Sequence, residues 1–88
     1  VAFFGAGDQE SHPEEFVTAL GKMKDIFTKL GADKEYGYTS AEGYTFKYSY
    51  AQKDGRFCGL AIDDINQEDL TQERVFNWAQ QLKKEMGI

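Results

Sequence analysis

A short apolar run that breaks at a glycine and leads into a long amphipathic segment constrains the fold of this chain most. Residues 1–4 are typical of a buried strand, residues 5–12 form a short polar segment, and Pro13 opens a stretch with helical periodicity. A strand, a loop and a helix in this order make one unit of an α/β sheet. Ligands of such sheets bind where loops leave the carboxyl ends of strands, so residues 5–12, here called the site loop, are the candidate binding segment.

Two glycines in the site loop, Gly5 and Gly7, have two explanations at this stage. Because glycine carries no Cβ, the pair would allow the backbone to approach a flat ligand closely. An ordinary connection also uses glycines, to satisfy the backbone dihedrals of a turn. The pattern alone leaves both explanations open.

The segment from Glu14 to Leu30 is predicted to be an amphipathic helix, because its apolar residues recur every three or four positions. Its N-cap is predicted at Ser11 or His12, since a capping box and a first-turn proline follow. Gly31 is predicted to end the helix in the left-handed conformation. Gly21, inside the helix, costs up to about 1 kcal/mol relative to alanine.

Three further strands are predicted in the middle of the chain. Residues 34–39 alternate in polarity, and residues 44–50 place an aromatic side chain at every second position, which is typical of a half-exposed strand. Residues 53–55 carry the Asp-Gly signal of a hairpin turn. The continuous apolar run at 57–62 indicates a strand that is covered on both faces.

A second helix is predicted near the end of the chain, with Thr71 as N-cap and Gly87 as its stop. Trp78 lies on its apolar stripe, so we interpret this side chain as part of the core. The element order is therefore β-α-β-β-β-α. With 88 residues, the chain is expected to form one domain.

Composition excludes several classes of function. The formal net charge of −5 argues against nucleic-acid binding, which needs clustered cations, and favours basic partner surfaces or simple solubility. No apolar run is long enough for a membrane helix, and no secretory signal is present. The single cysteine, Cys58, fits an inert core thiol in a reducing, cytoplasmic compartment. Because the chain begins with Val1 rather than methionine, we expect a processed piece or a fragment.

Several motifs in chain order resemble the flavodoxins, in particular the long-chain group. The matching stretches are Val1-Ala-Phe-Phe-Gly-Ala-Gly-Asp-Gln9, Gly37-Tyr38, Glu42-Gly-Tyr-Thr-Phe46, Asp54-Gly-Arg-Phe57, Gly59-Leu-Ala-Ile-Asp63, Asn66-Gln67, Leu70-Thr71, Glu73-Arg-Val75 and Trp78. Each piece alone is common, but the ordered set is specific and covers the whole chain.

The resemblance implies a three-layer α/β/α flavodoxin-like fold, of which this chain holds only the second half. Residues 1–88 are expected to be one partial domain in the order β-α-β-hairpin insertion-β-α, with the long-chain insertion at residues 40–56. The first three strands are missing, and with them the loop that binds the phosphate of FMN in this family. The hairpin insertion is expected to be peripheral to the sheet and dispensable for the fold.

By resemblance, the site loop lines one side of the flavin ring of FMN. The family's backbone contacts correspond to Ala6, Gly7, Asp8 and Gln9. A tyrosine that stacks on the outer flavin face is common in the family, and His12 occupies that position here. His12 is therefore either a stacking residue or the helix cap, and an imidazole offers less stacking area than a phenol.

The function implied by the resemblance is low-potential, one-electron transfer by a non-catalytic carrier. Its partners would be a reductase and an electron acceptor with basic surfaces, together with the amino-terminal half of the fold. We find no metal-ligand spacing and no nucleophilic triad in the sequence. Two alternatives remain: an FMN-free half-flavodoxin that serves as a structural or fusion module, and the flavin subdomain of a reductase.

Overall fold

The structure is a computed structural model that describes residues 1–88. Its elements, in chain order, are β1 (Phe4–Ala6), α1 (Thr18–Lys29), β2 (Thr39–Ser40), β3 (Gln52–Lys53), β4 (Arg56–Phe57), β5 (Leu60–Ile62) and α2 (Glu68–Met86). β1 and β5 form a parallel pair, whereas β2, β4 and β3 form a small antiparallel sheet in that order. No helix combines the length and the apolarity that crossing a lipid bilayer requires.

The parallel pair has one helix on each face. Phe3 is buried and its ring lies 5.5 Å from that of Phe27 in α1, whereas the next residue, Phe4, lies 6.3 Å from Trp78 in α2. Since successive strand residues point to opposite faces, α1 and α2 cover opposite sides of the strands. This arrangement is the predicted α/β/α layering.

Only one edge of β1 is paired. Phe4 is opposite Leu60 in the register with β5, and the isolated parallel bridge between Ala2 and Tyr36 uses the same edge. The Leu60 N–H donates to the Phe3 carbonyl, and the Tyr36 N–H donates to the Val1 carbonyl. These two carbonyls alternate along the strand and therefore point to the same side. The other edge of β1 is therefore free to accept a further strand.

The core centres on an aromatic cluster between α1 and the small sheet. Phe16 and Phe57 are almost fully buried, and their rings lie 5.9 Å apart. Tyr44 and Phe46 pack against both, with Phe46 stacked on Phe16 at 5.5 Å. The cluster joins the residues before α1 to the middle of the chain.

The predicted start of the first helix is wrong. α1 begins at Thr18 rather than in the turn after His12, and its N-cap is Val17, which has the left-handed φ of 47° and makes no side-chain cap bond. Residues 9–17 instead form irregular turns that bury Phe16 and Val17. The end of the helix is as predicted: Gly31 has φ 97°, and the N–H groups of residues 31 and 32 bond back to the last turn.

The predicted strands at 34–39 and 44–50 are mostly wrong. The first is reduced to the bridge at Tyr36 and the start of β2, and the second is irregular. Lys47 and Tyr48 donate their backbone N–H groups to the carbonyl of Pro13, so this segment lies against the chain before α1 and forms no ladder. Its alternation also fails at Ser49, which is fully buried and donates its hydroxyl to the Phe16 carbonyl at 2.6 Å.

The hairpin turn is confirmed. Asp54 and Gly55 both have positive φ, 54° and 79°, as a type I′ turn between β3 and β4 requires. The run at 57–62 is buried as predicted but is divided between β4 and β5. At Gly59 the strand passes so close to β1 that a Cβ would lie 2.1 Å from the Phe3 carbonyl oxygen.

The expectation that the insertion is only peripheral is not supported by burial. Ala51 belongs to the buried core, and the rings of Tyr44 and Phe46 pack on this core.

α2 begins at Glu68, a few residues before the predicted cap at Thr71, and Gly87 ends it in the left-handed conformation as predicted. Trp78 is half-buried and donates its indole N–H to Gly37.

Candidate functional site

The site loop is organised by the side chain of Asp8. Its Oδ1 accepts the backbone N–H groups of Glu10 at 3.2 Å and Ser11 at 3.0 Å, while its carbonyl accepts the N–H of His12. The Ser11 N–H and the Asn66 side chain, which donates to Oδ1 at 2.7 Å, lower the pKa of Asp8 to about 2. Asp8 is therefore ionised at neutral pH and fixes a tight turn.

Gln9 faces into the protein. It is 1% exposed, and its side-chain oxygen accepts the N–H of Thr45 at 2.5 Å while its Nε2 donates to Gln67 at 2.9 Å. Gln67 in turn donates to the Gly43 carbonyl and accepts a bond from Arg74. The side chain of Gln9 thus joins the site loop to the middle segment and to α2, so the side chain is not available to a ligand.

The backbone amides of the loop differ in what they are free to bind. Gly7 N–H donates to the Ile62 carbonyl, and Gln9 N–H donates to Oδ2 of Asp63. The N–H of Asp8, between them, has no acceptor in the chain. Ala6, two residues earlier, belongs to the same unpaired side of the strand. The loop therefore presents the backbone of Ala6 and Asp8 outward.

The two loop glycines are explained by packing. A Cβ on Gly7 would lie 3.0 Å from the Phe16 ring, and one on Gly5 would lie 3.3 Å from Leu20. Neither glycine has a positive φ, so neither is required by turn dihedrals. Both allow the segment that carries Phe16 and Leu20 to lie directly on the strand, and this contact sets the position of the loop.

His12 is exposed, and its side chain makes no hydrogen bond. It does not cap α1, since the helix begins six residues later, so the capping explanation is wrong. The surrounding residues of this shallow surface are Ser11, Pro13, Glu14 and Glu15. The imidazole is free to contact a molecule that lies against the loop.

Sequence reasoning missed the role of Asp63. This residue follows β5, is fully buried and accepts four hydrogen bonds in its two carboxylate oxygens. Burial acts to raise its pKa, but the hydrogen bonds from Asn66 and Gln9 outweigh this effect, so the pKa lies below its ordinary value. An acidic residue directly after a buried apolar run was the available signal.

Comparison with known proteins finds similarity to flavodoxins, both in sequence and in structure. The chain is 47% identical over 88 residues to a flavodoxin of Trichodesmium erythraeum and 43% identical over 88 residues to one of Nostoc sp. PCC 7120. It is 47% identical over 85 residues to flavodoxin 1 of Azotobacter vinelandii. Fusobacterium nucleatum flavodoxin, solved with flavin mononucleotide bound, superposes with a TM-score of 0.89 at 36% identity over 97% of the chain. No protein-family model matches.

These 88 residues match the carboxyl-terminal half of a long-chain flavodoxin. The chain spans about half the length of the curated flavodoxins it matches, 51% for the Nostoc and Trichodesmium proteins and 48% for that of Azotobacter. The solved Fusobacterium flavodoxin is covered to the same extent, 50%. The similarity is therefore to half of the flavodoxin fold.

Neither helix start of this chain offers an anion site. α1 begins at Thr18, directly after its buried N-cap Val17, and α2 begins with Glu68 and Asp69. Two carboxylates in the first turn oppose the binding of a phosphate at the positive end of α2. Neither helix start therefore provides a cradle for a phosphate.

Proposed function

We propose that this chain is the carboxyl-terminal half of an FMN-binding, one-electron carrier and that its site loop forms one wall of the flavin slot. The observation that carries the proposal is the match of the whole chain to flavodoxins, one of which was solved with flavin mononucleotide bound. FMN supplies the redox chemistry when it is bound, so the protein acts through contacts and charge and is not an enzyme in its own right.

The loop backbone contributes the polar contacts in this proposal. The free N–H of Asp8 is the donor for a carbonyl oxygen of the ring, and Ala6 presents its backbone from the same side. Gly7 and Gln9 line the slot without donating hydrogen bonds to the ring, because their N–H groups and the Gln9 side chain are already bonded within the protein. His12 covers the outer ring face as the stacking residue.

Charge around the loop suits a low reduction potential. Asp8, Glu10, Glu14 and Glu15 all lie within eight residues of chain, and Asp8 is held ionised. Negative charge here opposes the addition of further negative charge to the ring, so it lowers the reduction potential. The net charge of −5 favours docking to basic surfaces of a reductase and an electron acceptor.

FMN binding in this proposal requires the complementary amino-terminal half of the fold. The phosphate carries about two negative charges and needs donors or cations, which neither helix start supplies. The free edge of β1 is a place for a further parallel strand. Phe4 in β1 and Phe76 in α2 are large apolar side chains that are 61% and 63% accessible. Without that half, these surfaces favour self-association or loose packing.

A titration tests the proposal. FMN fluorescence is followed as the 88-residue chain is added, alone and together with the amino-terminal half of the Nostoc flavodoxin, supplied as a second chain or by fusion. We expect weak quenching or none with the chain alone, and tight quenching with both halves. Tight binding of FMN by the chain alone, below micromolar, would mean that it holds a phosphate site of its own. No binding by both halves together would favour an FMN-free structural module. Turnover of a substrate without added redox partners would indicate a reductase subdomain.

The free thiol of Cys58 is consistent with a reducing cytoplasmic location.

A further inference from the structure

The site loop is held by a buried carboxylate that belongs to another element. Asp63 lies at the carboxyl end of β5 and is completely buried. Its Oδ2 accepts the backbone N–H of Gln9 at 3.0 Å, which ties the loop directly to β5. The same oxygen accepts Nδ2 of Asn66 at 2.8 Å.

A second connection runs through Asn66. Its Nδ2 donates to Oδ2 of Asp63 and also to Oδ1 of Asp8 at 2.7 Å, so one amide group bridges the two carboxylates. Asp63 fixes that amide because its Oδ1 accepts the backbone N–H groups of Ile65 and Asn66, at 3.1 and 3.0 Å. The turn after β5 and the turn of the site loop therefore share one hydrogen-bond network.

The network around Asp63 is polar and holds the loop. The main hydrophobic core is the apolar cluster that contains Phe16 and Phe57. A buried carboxylate that only fills space in the core stabilises the fold no more than an apolar side chain of the same volume. Asp63 instead receives donors from the loop and from the adjacent turn.

We propose that Asp63 is a positioning residue for the flavin contact: through Gln9 and Asn66 it holds the site loop so that the Asp8 N–H faces the ring. Asp63 does not touch the flavin, because it is enclosed by its own donors. This inference rests on the proposed function. Asp63 would set the geometry of the ring wall although it lies more than fifty positions from the site loop in the chain.

The substitution Asp63→Asn is nearly isosteric and tests the hydrogen bonds alone. Asparagine keeps one acceptor oxygen but places an NH₂ group against two of the four donors, whichever way the amide is turned. Asp64→Asn is the matched control, because Asp64 is the next residue, is exposed and accepts only the Thr71 hydroxyl. Asn66→Ala removes the bridge and leaves the carboxylate in place.

Two readouts are measured on the chain joined to the Nostoc amino-terminal half. The first is amide hydrogen exchange of Gln9, Glu10 and Ser11 without FMN, and the second is the FMN dissociation constant. For Asp63→Asn we expect exchange at these amides to rise about tenfold or more and FMN affinity to fall about tenfold, the effect of losing buried bonds to a charged group. Amides of β5 should keep their protection, and Asp64→Asn should match the unsubstituted protein.

A folded Asp63→Asn variant with unchanged loop exchange and unchanged FMN affinity would overturn the inference. If Asp63→Asn does not fold, Asn66→Ala decides: faster exchange at Glu10 and Ser11 with weaker FMN binding supports the positioning role, and no change in either refutes it. If the unsubstituted halves bind no FMN, the proposed function fails, but the difference in loop exchange between Asp63→Asn and Asp64→Asn still decides whether the carboxylate holds the loop.

Discussion

Replacing Phe46 with alanine should destabilise the fold, although sequence periodicity places this residue on a peripheral hairpin. The Phe46 ring stacks on Phe16 at 5.5 Å with 24° between planes, and it lies 5.3 Å from Phe57. Truncating a fully buried phenylalanine costs about 3–5 kcal/mol. Because Phe46 is only half-buried, we expect a loss of about 2–3 kcal/mol.

Tyr48→Ala is the matched control on the same segment. Tyr48 is 57% exposed and has no ring partner in the cluster, so its truncation should cost about 0.5 kcal/mol or less. Urea unfolding of both variants, followed by circular dichroism, measures the difference. With a slope near 1 kcal/mol/M, Phe46→Ala should lower the midpoint by about 2–3 M.

A double-mutant cycle isolates the stacked pair. Combining Phe46→Ala with Phe16→Leu should give a coupling free energy of about 0.5–1.5 kcal/mol, the usual range for an aromatic pair. Equal, small losses for Phe46→Ala and Tyr48→Ala would show that the middle segment does not belong to the core. In that case deletion of residues 40–56 would leave the fold intact, as the sequence alone suggested.

The remaining predictions concern the flavin contact, pH and one glycine. His12→Tyr in the joined halves should tighten binding of oxidised FMN by about 0.5–1.5 kcal/mol, and equal affinity of both proteins at pH 8 would refute stacking. The pKa of Asp8 is lowered to about 2 and that of Asp63 is also lowered, so their stabilisation should be complete above about pH 4 and be lost as the pH falls towards 2. Urea midpoints from pH 6 to pH 2.5 measure this loss, and Asp8→Asn should reduce it; a slope unchanged in that variant would contradict the assignment. Gly21→Ala should destabilise by about 1–3 kcal/mol despite better helix propensity, because its Cβ would lie 2.8 Å from the Tyr50 carbonyl oxygen. A rise in the thermal midpoint of Gly21→Ala would mean that this contact relaxes freely.

Local chemistry made several elements predictable from sequence. Asp54 and Gly55 form the type I′ turn, and Gly31 and Gly87 end their helices with positive φ. Each of these positions has a backbone conformation that few residues adopt, so the residue type is itself the signal. The strand-loop-helix pattern proposed the site loop and the resemblance assigned it to the flavin; that assignment and the individual FMN contacts remain predictions.

Tertiary packing decided what the sequence left hidden. A capping box at Ser11 favours an early helix, but burial of Phe16 under the aromatic cluster and the left-handed Val17 delay α1 to Thr18. The alternation at 44–50 indicates a strand, yet contacts to Pro13 and Phe16 replace the ladder. Such long-range contacts override local periodicity and cannot be read from a window of neighbouring residues.

The role of Asp63 was hidden for a related reason. Its position after an apolar run marks the end of β5, but its four donors come from two loops, one of them more than fifty residues away. A buried carboxylate is recognised by its partners, and sequence alone does not bring those partners together. The same holds for Gln9, whose side chain faces inward although it lies in an otherwise polar loop.

The central claim is that this chain forms one wall of a flavin slot that the complementary half completes. Native mass spectrometry of the chain mixed with the Nostoc amino-terminal half and FMN, together with the visible absorption spectrum, tests it most directly. We predict one particle that contains one copy of each half and one FMN, with flavin absorption, and no flavin on the 88-residue chain alone. A yellow particle made only of this chain and FMN would contradict the claim.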